Sequence, residues 1–266
     1  MASRTVPGPR RSPSLSSVDL HLDPPMTLSR VTRRVPWFLP AALGFFLLLA
    51  AGALFNVLPW DEPITRWLYD LRTPTMNSVV RKISFLGSNK VVFPVAGIAA
   101  LLAAKRCPRL AVAIVVIALC RPVAEFVIKD LVSRARPEES ERLVRGVGYS
   151  FPSGHPLATA SSWGLLPLVF ALYTRRRAVW WAATIGVWVL ALLIAMSRVW
   201  LGVHYTSDVV AALVLSVLGV ALAERALGRA HRTECKHGRR RRGSVAGDGE
   251  HVHPEVVDAE VLQAAS

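Results

Sequence analysis

The sequence predicts an all-α fold, an integral membrane bundle of six transmembrane helices. Three observations lead there. The 266-residue chain is 52% hydrophobic, only a little above the roughly 45–50% of an ordinary soluble domain, but its apolar residues are gathered into long blocks. Its charges lie between those blocks, the distribution that a bilayer imposes. Basic residues crowd alternate gaps, as they do where cytoplasmic Arg and Lys set topology.

The blocks run over residues 37–60, 83–104, 110–128, 156–174, 178–196 and 207–223. A crossing helix needs about 20 residues, and five blocks meet that comfortably. The second is interrupted near its start by Gly87, Ser88, Asn89 and Lys90, and it is kept as a span because the charge pattern requires one there. Arg30, Arg33 and Arg34 precede the first block, and Lys105, Arg106 and Arg109 separate the second from the third. Arg175, Arg176 and Arg177 separate the fourth from the fifth, and a basic run over 225–242 follows the sixth. The positive-inside rule makes all four places cytoplasmic. Both termini are then expected inside, with outer segments 61–82, 129–155 and 197–206.

Residues 1–35 are rich in Pro, Ser and Arg and lack periodicity, so they read as a disordered cytoplasmic arm. Ala51-Gly52-Ala53 resembles a signal-peptide cleavage site, but the apolar block continues to Trp60, too long for a signal h-region. Residues 36–223 form the expected membrane domain, and 224–266 a second disordered cytoplasmic tail. Residues 61–82 mix Trp67, Tyr69 and Leu71 with Asp61, Arg66, Asp70 and Arg72, which suits an interfacial connector in the headgroup layer. The net charge of +14 is explained by topology and anionic headgroups, and no nucleic-acid partner is expected. Cys107, Cys120 and Cys235 form neither a disulfide framework nor a metal motif.

Three polar clusters fall at the outer ends of the spans. The first is Lys129-x6-Arg136-Pro137. If the third helix continues, positions seven apart share a face and two cations can grip one anion, although membrane-end Lys and Arg also simply snorkel. The second is Pro152-Ser153-Gly154-His155. Ser153 suits an N-cap, Gly154 allows close backbone approach, and the free N–H groups of a helix start hold anions. His155 can donate to such an anion. The third is Ser197-Arg198-x5-His204-x3-Asp208. If the sixth helix starts by His204, Asp208 can fix one imidazole nitrogen and leave the other exposed as a nucleophile. Each cluster alone has an ordinary structural explanation. Arg121, Glu125 and Lys129, spaced by four, are expected to form a ladder within the third span in which Glu125 orients Lys129. Together the clusters put three cations, two helix starts and two histidines at one depth, which suits a phosphate.

These clusters resemble, in order and spacing, the three signature motifs of the type 2 phosphatidic acid phosphatase (PAP2) superfamily, which includes vanadium haloperoxidases and glucose-6-phosphatase. The resemblance is close over 129–208 and extends with the six-span plan to about 61–223. It implies a PAP2/haloperoxidase-like core, and His204 attacking phosphorus to give a phosphohistidine with Asp208 orienting it. His155 would protonate the leaving oxygen, and opposite protonation states of the two histidines would make the pH profile bell-shaped. Lys129, Arg136, Ser153, Gly154 (through its N–H) and Arg198 would hold the phosphate, with no cofactor and no metal. The substrate would be a membrane lipid phosphate or pyrophosphate of polyprenyl or phosphatidate type, cleaved on the outer face of a bacterial plasma membrane. A phosphotransferase using the same intermediate, or a transporter, are the alternatives.

Overall fold

The computed structural model describes residues 38–174 and 176–244. The arm 1–35 and the end of the tail lie outside the described residues. Among the described residues nine α-helices follow one another: α1 Phe38–Leu54, α2 Asp61–Asp70, α3 Pro74–Leu86, α4 Asn89–Ala104, α5 Pro108–Val132, α6 Gly154–Trp163, α7 Leu166–Tyr173, α8 Arg177–Trp200 and α9 Thr206–Ser244. A short 3-10 turn, Glu139–Glu141, lies in the α5–α6 connection. Among the described residues there is no strand.

Local chemistry explains several helix ends. Pro74 and Pro108 occupy first-turn positions, where the missing N–H costs nothing, and the Thr73 hydroxyl accepts from the Met76 N–H at 3.3 Å. α5 stops at Ser133, in the left-handed conformation (φ 48°), before reaching Arg136. The first block ends earlier than its hydropathy suggests. The chain turns back through Asn56, and Leu58 packs on Gly52, where a Cβ would stand 2.5 Å from Leu58 Cδ2. The second block is broken at Gly87–Ser88, so that α3 and α4 meet at 41°.

α6 and α7 together form the most enclosed membrane segment, 72% buried within the protein, and α6 packs against α4, α5, α8 and α9. Outward-facing Leu48, Leu101, Leu119, Phe126 and Leu131 are more than half exposed in the isolated chain, as expected where lipid replaces water. Among the described residues four segments are long and apolar enough to cross a bilayer, or five if the bent α3–α4 pair is one span; α1 is a shorter apolar helix of 17 residues. Helix lengths thus yield four or five crossings against the six blocks of the sequence. The helix that carries the sixth block, α9, runs on through Ser244.

The bundle has two chemically different ends. At one, the Tyr173 hydroxyl donates to the Leu102 carbonyl at 2.7 Å, and Arg106 donates to the Leu172 carbonyl at 3.3 Å and lies over the Tyr173 ring. This end carries Lys105, Arg106, Arg109, Arg176 and Arg177. The C-termini of α5 and α8 and the N-termini of α6 and α9 gather at the other.

Candidate active site

Helices α4, α5, α6 and α8 and the loops before α4, α6 and α9 line a polar cavity of about 280 Å³ at that second end. Its lining includes Asn89, Arg121, Glu125, Lys129, Arg136, Arg145, Gly154, His155, Arg198 and His204. The three sequence clusters are therefore brought together, with Asp208 buried behind His204 and Ser153 buried behind the α6 start.

Lys129 sits in the last turn of α5. Its ammonium donates to the Tyr149 and Pro152 carbonyls at 3.0 and 2.8 Å and lies 3.8 Å from Glu125. Arg121 completes the expected ladder, donating to Glu125 at 2.8 Å and to the Asn89 side chain at 2.8 Å. The helical argument for Arg136 fails, because α5 has ended and the chain has turned before that residue. Loop geometry brings it back instead. Its guanidinium donates to the carbonyls of Val147, Gly148, Tyr149 and Val203 at 2.7–3.1 Å and reaches His204 Nε2 at 3.2 Å.

Ser153 holds the N-cap position of α6, but its hydroxyl makes no capping bond. That oxygen is fully buried and unpartnered, and such a group ordinarily finds a partner. Gly154 follows, where an added Cβ would stand 2.3 Å from Glu125 Oε1. A side chain at 154 would thus have to push aside the Glu125 carboxylate, which Arg121 and Lys129 hold. The first-turn N–H groups of α6 have no intrahelical acceptor and so suit an anion. Gly87, at the α3–α4 break, does the same for the other side: a Cβ there would meet Ile194 at 2.6 Å and His155 at 3.2 Å. The interruption that made the second span look weak is the place where α6 and α8 close on the cavity. Arg198 lies in the last turn of α8, 8% exposed, donating to the Ser84 hydroxyl at 2.7 Å.

His204 is not helical. It lies in the turn before α9, made possible by Gly202 at φ +75°. Asp208 reaches back to accept from the Tyr205 N–H at 2.9 Å, the reciprocal half of a capping box. The same oxygen stands 3.5 Å from His204 Nδ1, which has no hydrogen-bond partner among the described residues. Burial, followed by the charges of Arg136, Arg198 and Lys129, holds the His204 imidazolium pKa well below its ordinary value. The ring is therefore neutral. A guanidinium can only donate, so Nε2 beside Arg136 must be the unprotonated nitrogen and Nδ1 carries the proton toward Asp208. Nε2 then presents its lone pair to Arg136 at the cavity wall.

Two contributors escaped the sequence reading. Arg134 bridges Asp208 Oδ1 and Asp61 Oδ2, both at 2.8 Å, and also donates to the Ser207 hydroxyl at 2.7 Å. Asp61 in turn accepts from the Ser207 N–H at 2.8 Å. Asp61 is thus 2% exposed and inside the protein, not a headgroup-layer residue of the connector. Nothing in the sequence marked it out. Arg134 lay inside the x6 stretch of the first cluster, where only an odd intervening cation hinted at a role.

Residues 109–232 match the family described as the PAP2 superfamily. The chain is 30% identical over 182 residues to phosphatidylglycerophosphatase B of Bacillus subtilis (strain 168), covering 65% of this chain and 87% of that protein. It is 31% identical over 102 residues to lipid A 4'-phosphatase of Bacteroides thetaiotaomicron, covering 35% of this chain and 42% of that protein. The crystal structure of the first transmembrane PAP2 type phosphatidylglycerolphosphate phosphatase from Bacillus subtilis superimposes with a TM-score of 0.65 at 25% identity, over 74% of this chain and 97% of that one. Aquifex aeolicus LpxE shares the fold, with a TM-score of 0.51 at 17% identity over 63% and 96% of the two chains. Identity spread over most of a relative's length reflects common descent rather than common architecture, and on that footing this chain belongs to the PAP2 superfamily and is a membrane phosphatase of it.

Proposed function

We propose that this protein hydrolyses a lipid phosphate or lipid pyrophosphate through a phosphohistidine on His204, without a metal ion, at the non-cytoplasmic end of the bundle. The observation that carries the chemistry is the state of His204. Its Nε2 lone pair faces a cavity in which Lys129, Arg136 and Arg198 supply positive charge where a phosphoryl group would sit. Phosphoryl transfer asks mainly for positioning and charge stabilisation.

The substrate phosphate replaces His204 as the partner of Arg136 Nη1, freeing Nε2 for in-line attack on phosphorus. The P–O bond to the leaving group breaks, and His155 passes a proton to the departing oxygen. Asp208 steadies the Nδ1 proton as the ring becomes cationic. Water, giving its proton to His155, then attacks phosphorus, breaks the P–N bond and releases inorganic phosphate. Ser153, with its buried unpartnered hydroxyl, and the Gly154 N–H supply further donors to the phosphoryl oxygens.

Two relatives that act on lipids support a lipid substrate, as does a site at the end of a bilayer-length bundle. The orientation is supported by the basic residues of the α4–α5 and α7–α8 connections, which sit at the end away from the cavity. If α1 and the bent α3–α4 pair each cross once beside the four long segments, the six crossings put both termini in the cytoplasm.

The test is phosphate release by purified protein, with EDTA present, from prenyl phosphates, prenyl diphosphates, phosphatidate and phosphatidylglycerol phosphate. We expect turnover of at least one, and an acid-labile, base-stable phosphoprotein when a radiolabelled reaction is quenched. His204→Ala should abolish both while remaining folded in the membrane; a fully active His204→Ala would refute the assignment. A phosphorylated acceptor in place of free phosphate would identify a phosphotransferase.

A further inference from the structure

The cavity holds more positive charge than one phosphate requires. Five cations, Arg121, Lys129, Arg136, Arg145 and Arg198, line it against the single carboxylate of Glu125. A phosphate monoester brings about two negative charges at neutral pH. Arg121 is neutralised by Glu125, and Lys129, Arg136 and Arg198 face the reacting phosphate. Arg145 is left over. It belongs to none of the three clusters, and it makes no hydrogen bond or ion pair with any described residue.

Its backbone is nevertheless held in place. On one side, Leu143 donates its N–H to the Leu201 carbonyl at 3.0 Å, and Leu143 and Val144 pack on Val80, Leu201 and Val203. On the other, Arg136 grips the carbonyls of Val147, Gly148 and Tyr149. Gly146 lies against Arg136 itself: a Cβ there would stand 2.8 Å from Arg136 Cδ. Arg145 is therefore exposed, unpaired among the described residues, and on a loop anchored at both ends, where it lines the cavity that contains His204 and His155. A planar donor fork held in this way matches a phosphate better than a carbonyl or hydroxyl.

We propose that Arg145 forms a second anion subsite, so that the preferred substrate carries a further phosphate group beside the one cleaved. This rests on the phosphatase reading above and names the substrate class within it. The shared chemistry is a second phosphate. It is present either as the inner phosphate of a lipid diphosphate or as the phosphodiester of a glycerol-linked lipid whose terminal phosphate is removed.

The test compares kcat/KM of wild type and Arg145→Gln in detergent micelles on two matched pairs. One pair is a prenyl diphosphate against the prenyl monophosphate of equal chain length. The other is phosphatidylglycerol phosphate against phosphatidate. We expect Arg145→Gln to lose about 10–100-fold on the two-phosphate member of one pair, mainly in KM, the loss of one charge-assisted bidentate contact. Its single-phosphate partner should change by less than about 3-fold, the factor by which such contributions ordinarily vary with context. The pair that shows the loss identifies the source of the second phosphate, and Arg145→Lys should recover part of it. Equal losses on both members of both pairs, or no loss on any, would overturn the subsite. Wild-type protein inert toward all four lipids would remove the phosphatase reading and the subsite together, an outcome distinct from either.

Discussion

Arg134 holds Asp208 more tightly than His204 does: its guanidinium donates to Asp208 Oδ1 at 2.8 Å, while His204 Nδ1 stands 3.5 Å from the other oxygen. The carboxylate assigned to orient the nucleophile is thus itself oriented by an arginine, which Asp61 secures from behind. The order Asp61, Arg134, Asp208, His204 alternates charge up to a neutral ring, which the proposed phosphorylation would make cationic. Burial opposes the charge on Arg134, but Asp208 and Asp61 prevail and hold its pKa above the usual value.

Replacing Arg134 should therefore damage catalysis more than binding. Arg134→Gln is expected to lower kcat by about 10–100-fold with KM nearly unchanged, the scale of one lost charged hydrogen bond. It should also lower thermal stability, because two buried carboxylates lose their partner, a change that costs about 3–5 kcal/mol when a buried pair is broken. Arg134→Lys should not restore kcat, since a point charge cannot serve both carboxylates at once. Steady-state kinetics beside a melting curve in detergent would check both parts; a KM effect with normal kcat would contradict the positioning role.

Ser153→Ala offers a contrast. The hydroxyl is buried without a partner, so its removal leaves no other group unsatisfied, and stability should hold or rise slightly. Catalysis should fall about 10-fold if the hydroxyl serves the phosphate, as for the loss of one transition-state hydrogen bond. A stable and fully active variant would mean that the hydroxyl has no part in the reaction.

At Gly154, alanine should displace Glu125 and with it the ladder to Arg121 and Lys129. We expect kcat/KM to fall by at least about 10-fold, with a stability cost in the 1–3 kcal/mol range of overpacking. Gly97→Ala and Gly219→Ala are the controls, since a Cβ at either meets nothing within 4 Å. Both should be neutral or slightly stabilising, as alanine is the better helix former by up to about 1 kcal/mol. Equal damage at all three positions would detach the effect from Glu125.

The lowered pKa of His204 fixes the sign of two pH effects. His204 is already neutral at pH 7, so as the proposed nucleophile it should contribute an acid limb to kcat/KM below the ordinary histidine value of about 6.5. In the unfolded chain His204 takes up a proton near that value, whereas the folded protein resists it. Below about pH 6.5 the unfolded state therefore binds more protons, and this residue makes stability fall as pH falls. A pH titration of kcat/KM with parallel melting curves would separate the two. A His204-dependent acid limb at or above pH 7 would be inconsistent with this environment.

Much of the protein could be read from the sequence because the relevant forces are local or solvent-imposed. Long apolar blocks, basic gaps, prolines at helix starts and the three clusters express the bilayer, the positive-inside rule and phosphate chemistry in residue order alone. The same reading identified the family through Lys129, Arg136, Ser153, Gly154, His155, Arg198, His204 and Asp208. Tertiary structure decided what depends on non-local contact. α1 stops at Leu54 because Leu58 folds back on Gly52, and α3 and α4 break at Gly87 because α6 and α8 close there. Arg136 reaches His204 through carbonyls of a distant loop, not along a helix face. Asp61 is a buried counter-ion because Arg134, 73 residues on, lies 2.8 Å from it. Hydropathy and spacing constrain a chain against its solvent and its near neighbours; which carboxylate meets which guanidinium is settled only when the helices pack.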